Sequence, residues 1–116
     1  MADFKELLQE AHARDLKIYI DFVIAHTAHD HEWFEKSRRR EEPYTDYYVW
    51  ADASDWYGKK ASPNNWKSVF GGPAWTLDAV RGQYYMHHFL TSQPKLNLNK
   101  KEVQDAALGE MKFWLD

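Results

Sequence analysis

Two residues that can transfer protons or bind polar ligands, Asp21 and His26, lie five positions apart in one apolar segment. Apart from Lys17 and Asp21, the run from Lys17 to Ile24 is continuously apolar rather than alternating. Such a run predicts a β-strand that is covered on both faces. The strand would place Asp21 in its interior and His26 at its C-terminal end. The segment therefore indicates a site where a ligand is bound or transformed.

Two longer helices are predicted to flank this strand. The first begins at Asp3, with Glu6 three residues later as in a capping box, and ends near Asp15. The second is predicted from its cap Asn99 to the end of the chain. Their apolar stripes are Phe4, Leu7, Leu8 and Ala11 in the first helix and Val103, Ala107, Met111 and Trp114 in the second.

The residues between the strand and the last helix predict smaller elements. We expect a short helix over 31–40, a short strand over 47–50 and a long loop over 52–65. Residues 74–78 and 83–89 should pair as a hairpin, because Gly82 supplies the positive φ that such turns need. The fold class is therefore α+β: a buried strand and a small antiparallel sheet packed with two longer helices and one short helix.

Composition limits the classes of protein that remain. The 116 residues are enough for one domain. Their net charge of −3, from 15 basic and 18 acidic residues, argues against nucleic-acid binding. No apolar run is long enough to suggest a membrane span, and the start has no signal-peptide pattern, so we expect a cytoplasmic protein. Without cysteine there is neither a disulfide nor a thiolate metal site, and no cofactor is indicated.

Several motifs, in order and spacing, are similar to the α-glucosidase and oligo-1,6-glucosidase branch of the α-amylase family, glycoside hydrolase family 13. The resemblance covers about residues 3–116 and implies barrel helix 2 and strand 3 in 1–27, the domain B excursion in 28–98 and barrel helix 3 in 99–116. The chain would thus be a piece of a (β/α)8 barrel plus domain B. The motifs are Asp21–Thr27, Asn64-Asn65-Trp66, Val69-Phe70-Gly71-Gly72, Tyr84-Tyr85-Met86-His87 and Gln93-Pro94-Lys95-Leu96-Asn97.

The resemblance implies a set of glucose-binding residues. In the family, the His at position 26 donates a hydrogen bond to the glucose unit beside the cleaved bond, and the Asp at position 21 mainly orients an Arg of strand 4. Phe70, Phe89 and Gln93 match further positions around the glucose pocket, where rings stack on the sugar and the amide binds hydroxyls. Two positions depart from the usual pattern: Ala25, where relatives often have Asn, and Lys95, where many have Asp.

Hydrolysis of a glycosidic bond needs two carboxylates, one on each side of the bond. In the family the nucleophile, the acid and a third stabilising carboxylate lie on strands 4, 5 and 7. The resemblance places Asp116 at the helix end before strand 4, so none of the three is expected among these residues. We therefore expect one wall of a glucose pocket, weak binding of glucose or an α-glucoside, and no turnover by the 116-residue chain.

Two other hypotheses remain open at this stage. The first is a small free-standing hydrolase or a metal-binding protein, because His26, His29, His31 and His88 could hold a zinc or nickel ion. The second is a structural module that self-associates through residues 17–24, because an isolated strand has open edges that can pair with another copy.

Overall fold

The structure is a computed structural model that describes residues 1–115. It contains three helices: α1 (Ala2–Ala13), α2 (Glu32–Arg38) and α3 (Lys101–Leu115). Seven short strands lie between α2 and α3: β1 (Trp50–Ala51), β2 (Ser54–Trp56), β3 (Lys59–Ala61), β4 (Lys67–Ser68), β5 (Gly71–Pro73), β6 (Trp75–Leu77) and β7 (Tyr84–Met86). Two longer helices, one short helix and small antiparallel sheets confirm the predicted α+β class. The division of the chain into barrel-like parts (1–27 and 99–116) and a domain B-like part (28–98) stays a prediction.

All of the strand pairs are antiparallel. The central sheet has the order β1-β7-β6, with Trp50 opposite Tyr85 and Thr76 opposite Tyr85 on the other side. β2 pairs with β3, and β4 pairs with β5, as two separate hairpins. The predicted hairpin over 74–89 is confirmed, and Gly82 in its turn has φ +76°. The predicted loop over 52–65 is wrong in part, because it contains the β2–β3 hairpin.

Aromatic packing forms the main core. Phe34 of α2 is 1% exposed and meets Tyr48 and Tyr85 edge to face, each at a ring-centroid distance of 5.1 Å. It also stacks on Trp50 with an interplanar angle of 11°. Val103 of α3 is fully buried in the same cluster. Aromatic rings bury large apolar areas and pack favourably edge to face, so they can stabilise the core of a small chain.

The segment Lys17–Ile24 is not a buried strand, and this prediction needs correction. It belongs to no helix or strand, and it forms no ladder with any strand in the described part of the chain. Tyr19 is 88% exposed, and Ile20, Val23 and Ile24 are about half exposed. A strand needs hydrogen-bonding neighbours, and apolar residues alone do not supply them. The overall shape is correspondingly long: the radius of gyration is 18.0 Å, against about 13 Å for a compact domain near this length.

The ends of the helices also differ slightly from the sequence-based expectation. α1 begins at Ala2 with Met1 as its N-cap, and Asp3 lies in its first turn rather than capping it. α3 begins at Lys101, two residues after the predicted cap Asn99, and the carbonyl of Lys100 accepts from Val103 and Gln104. The last residue of the predicted helix, Asp116, lies outside the described residues. No helix within residues 1–115 is long and apolar enough to cross a membrane.

Candidate functional site: an aromatic cluster around His26

Three rings from three separate segments meet at the end of the extended segment. The centroids of the His26 and Phe89 rings are 5.7 Å apart, and those of Phe89 and Phe70 are 6.3 Å apart. Phe70 is 71% exposed and Phe89 is 37% exposed, so both rings offer a face to solvent. The structure thus brings together three of the residues that the sequence singled out.

Backbone hydrogen bonds hold His26 in place, although residues 17–24 pair with no strand within the described residues. His26 forms an isolated antiparallel bridge with Lys95. On either side of it, the carbonyl of Ala25 accepts from the Leu96 amide at 2.9 Å, and the Thr27 amide donates to Pro94 at 3.3 Å. The Thr27 hydroxyl lies 2.6 Å from the buried Tyr48 hydroxyl, which ties this end of the segment to the aromatic core.

Phe70 reaches the cluster from the turn between β4 and β5. The Val69 amide donates to the carbonyl of His88 at 2.7 Å, so the turn is tied to the chain just before Phe89. Gly71 and Gly72 follow Phe70 with φ +88° and +52°, which residues with a side chain rarely adopt. The two glycines therefore let the chain reverse immediately after the exposed ring.

Gln93 is held beside Phe89 by a tight turn. Its Oε1 accepts from the Leu90 amide at 3.1 Å, and its backbone amide donates to the Leu90 carbonyl at 2.9 Å. The side-chain carbonyl is thus occupied in forming the turn. The Nε2 group has no hydrogen-bond partner among residues 1–115, so it is the part of Gln93 that can donate to a ligand.

Asp21 does not join this cluster. It was expected inside a buried strand, but it is exposed and makes no hydrogen bond or ion pair within the described residues. The reason is the missing pairing of 17–24 described above. Its role as a substrate-site residue stays a prediction that the observed contacts do not support.

The alternative of a histidine metal site is not supported by the geometry. Among residues 1–115, no group of three or more His, Asp or Glu side chains is placed to hold a metal ion. His31 is used differently: its Nδ1 accepts from the Trp33 amide at 3.0 Å and caps α2. His29 and His88 are both exposed, and the chain does not gather either of them with His26 and His31 into a ligand set.

His87 is a functional candidate that the sequence-based interpretation did not select. It is 2% exposed, and Nδ1 lies 3.2 Å from the carbonyl oxygen of Phe89 while Nε2 lies 2.8 Å from the Thr76 hydroxyl. A carbonyl only accepts, so Nδ1 carries the proton and, in the neutral ring, Nε2 accepts from Thr76. His87 therefore fixes the backbone that carries Phe89. The available signal was its position in the predicted strand over 83–89, where it alternates with His88.

His88 lies in an electropositive environment close to His26. Desolvation lowers the pKa of His88, and the charges of Lys95, His26 and His87 lower it further.

A buried arginine network attaches the central hairpin to α2. The Arg81 side chain is 5% exposed and donates to the carbonyls of Ser37 and Thr45 and to Oε1 of Gln83. Its guanidinium also lies 4.4 Å from the centroid of the Trp50 ring. Arg38 of α2 pairs with the buried Asp78 at 2.7 Å. The sequence had indicated only a turn here, so the network was missed.

Comparison with known proteins identifies the family. Residues 1–116 match the alpha-amylase family described as "Alpha amylase, catalytic domain". The chain belongs to this family, which confirms the resemblance proposed from its motifs.

The relatives differ in what they do. A probable alpha-glucosidase of Rhizobium meliloti (strain 1021) is 48% identical over the whole chain. A human amino acid transporter heavy chain is 44% identical over 99% of the chain. A mutant isomaltulose synthase from Erwinia rhapontici NX5, solved in complex with D-glucose, has a TM-score of 0.92, with 42% identity and full coverage of this chain.

The chain spans about a fifth of these relatives: 21% of the alpha-glucosidase, 17% of the transporter heavy chain and 20% of the isomaltulose synthase. It is thus a partial alpha-amylase catalytic domain, and the region resembles the corresponding part of α-glucosidases.

Proposed function

We propose that this chain supplies one wall of a glucose-binding pocket in an α-glucosidase-like protein of carbohydrate metabolism. The observation that carries the proposal is the meeting of His26, Phe70 and Phe89 within 5.7 and 6.3 Å, from segments far apart in the sequence. A solved relative that binds D-glucose and shares this fold supports the same ligand class.

The chemistry of the cluster suits a neutral sugar. The exposed faces of Phe70 and Phe89 can stack on the C–H surface of a pyranose ring, and burial of that surface provides much of the binding free energy. The imidazole of His26 and Nε2 of Gln93 can bind hydroxyl groups, which fixes the orientation of the ring. Asp21 contributes no contact to this arrangement.

The 116-residue chain is proposed to bind sugar without breaking it. Two carboxylates about 5–10 Å apart across the scissile bond are needed for glycoside hydrolysis. Within residues 1–115, His26 forms no ion pair with a carboxylate, and no group of three or more His, Asp or Glu side chains gathers around it. The resemblance implies that the family's catalytic carboxylates lie on barrel strands 4, 5 and 7, outside the three regions that it implies for this chain.

Titration with D-glucose and maltose, followed by NMR of the His26 and Phe89 ring signals, tests the proposal. We expect both signals to move with weak, roughly millimolar affinity. His26→Ala should abolish the shift of the Phe89 ring, and Phe89→Ala should abolish that of the His26 ring. His29→Ala is the matched control, because His29 is exposed and outside the cluster. No movement of either ring at about 50 mM sugar would contradict the pocket. Glucose release from an aryl α-glucoside, lost in His26→Ala, would contradict the absence of turnover.

A second candidate function is a structural module that self-associates. One observation favours it: the apolar side chains of Tyr19, Ile20, Val23 and Ile24 are exposed in an extended segment without a partner strand among the described residues. Extended apolar segments with free backbone groups can pair with a second copy.

A further inference from the structure

The buried Arg81 lines a mainly polar cleft of about 420 Å³ between the central sheet and the start of α3. Asp46, Asn97 and Lys100 line the same cleft. The Arg81 side chain is only 5% exposed, so its charge is largely removed from water. Burying a cation costs free energy unless an anion compensates it, so the partners of this guanidinium group decide what the cleft can bind.

One of the three guanidinium nitrogens lacks a hydrogen bond. Nε of Arg81 donates to Oε1 of Gln83 at 2.7 Å, and Nη1 donates to the carbonyls of Ser37 and Thr45, all of which are neutral acceptors. Nη2 makes no hydrogen bond within residues 1–115, and it lies 3.8 Å from Oδ1 of Asp46, beyond hydrogen-bonding distance. Because Asp46 and Arg81 line the same cleft, Nη2 is the donor that faces it.

Positive charge exceeds negative charge around this nitrogen. Nζ of Lys100 lies 3.5 Å from Oδ2 of Asp46, so one carboxylate is shared between two cations at long distance. The other carboxylate close to Arg81, that of the buried Asp78, is engaged by Arg38 at 2.7 Å. Burial lowers the pKa of Arg81, which agrees with a charge that its surroundings compensate incompletely. A further anion in the cleft would therefore be stabilised.

The start of α3 adds donors at the same place. Asn97 and Lys100 precede the helix, so the cleft lies at its N-terminal end. The backbone amides of Lys101 and Glu102 have no hydrogen-bond partner within the described residues. Free amides and the helix dipole favour an anion at a helix N-terminus. Every helix has such amides, and the feature that distinguishes this one is the buried guanidinium group beside it.

We propose that Nη2 of Arg81, Nζ of Lys100 and the first amides of α3 form a binding site for a tetrahedral oxyanion, namely a phosphate group, either free or carried by a monoester. Such an anion can accept hydrogen bonds from donors that approach from different directions. It would replace the carboxylate of Asp46, which is 58% exposed and can turn towards solvent. The site uses no residue of the His26–Phe89–Phe70 cluster, so it is independent of the proposed glucose pocket.

NMR titration of the 116-residue chain with sodium phosphate, at constant ionic strength and with chloride as the reference anion, tests the site. We expect saturable shifts of the Arg81 Nε–H signal and of the Lys101 and Glu102 amides, with a Kd of about 1–10 mM. The His26 and Phe89 ring signals should stay in place, so the result does not depend on the glucose pocket. Glycerol phosphate distinguishes the source: tighter binding than free phosphate would identify a monoester as the ligand.

Two substitutions of opposite expected sign separate this site from a general salt effect. Lys100→Gln removes a donor and should weaken phosphate binding about tenfold, whereas Asp46→Asn removes the competing carboxylate and should tighten it about tenfold. Lys101→Gln is the matched control, because that side chain is 81% exposed and pairs with Asp105, and binding should stay within about twofold. Shifts that do not saturate, equal affinities of Lys100→Gln and Lys101→Gln, or an affinity that Asp46→Asn fails to raise would each overturn the proposal.

Discussion

His87 holds the backbone of Phe89: Nδ1 of His87, a residue that is 2% exposed, lies 3.2 Å from the carbonyl oxygen of Phe89. The same ring reaches Thr76 on the opposite strand of the hairpin. The position of the exposed Phe89 ring therefore depends on a buried residue that does not itself face solvent.

Replacing His87 should destabilise the protein and disturb the glucose pocket together. His87→Ala leaves the Phe89 carbonyl and the Thr76 hydroxyl without their partner, which should cost about 1–3 kcal/mol of unfolding free energy. Denaturant unfolding measures this loss, and the Phe89 ring signal should shift even without sugar. His29→Ala should change stability by less than about 0.5 kcal/mol. Equal stability of the two variants would show that the buried hydrogen bonds contribute nothing.

The Arg81 network should be sensitive to a change that keeps its charge. Arg81→Lys retains a cation but cannot bind the Ser37, Thr45 and Gln83 acceptors with one planar group, so we expect a loss of about 1–3 kcal/mol. Urea denaturation followed by Trp fluorescence is the measurement, because Trp50 lies directly under the guanidinium. Arg39→Lys is the control, since its exposed side chain makes only an ion pair with Glu35. If Arg81→Lys left the free energy of unfolding unchanged, the network would not contribute to stability.

The depressed pKa of His88 predicts a particular pH dependence. Because folding lowers this pKa below 6.5, the unfolded chain takes up the proton more readily. The contribution to stability is therefore present above about pH 6.5, is lost as pH falls, and stops changing below the folded-state pKa. His88→Gln should flatten part of this slope in unfolding experiments between pH 8 and pH 5. An unchanged slope in His88→Gln would rule out this assignment.

The exposed segment 17–24 should drive association of the isolated 116-residue chain. Light scattering over a concentration series should show a rising average mass, and Ile20→Lys or Val23→Lys should reduce it, because charge on an open strand edge opposes pairing. Lys59→Ala, a change at the exposed β2–β3 turn, serves as a comparison that should leave association unaltered. A monomer at every concentration would contradict this expectation.

Local sequence signals predicted those elements whose hydrogen bonds are also local. The hairpin over 74–89 followed from Gly82 and its flanking apolar residues, and the two longer helices followed from their apolar stripes. The β2–β3 hairpin was missed because Tyr57 stands where the usual Asn or Gly would mark the turn. The segment 17–24 has the composition of a buried strand, but composition cannot specify the neighbours with which a strand must pair.

For a similar reason, the sequence predicted only some residues of the candidate site. His26, Phe70 and Phe89 were identified through the family resemblance, and the structure brings their rings together. Asp21 was misplaced because its burial depended on the unpaired segment. His87 and Arg81 were not selected from the sequence, because their importance arises mainly from buried hydrogen-bond partners.

The β2–β3 hairpin has an evolutionary consequence. No residue of Ser54–Ala61 belongs to either hydrophobic core cluster, and the hairpin is its own hydrogen-bonded unit. Lengthening, shortening or exchanging it would therefore leave the rest of the chain intact. Homologues can diversify here at little risk to folding, and a protein engineer could graft a new recognition loop at the same place.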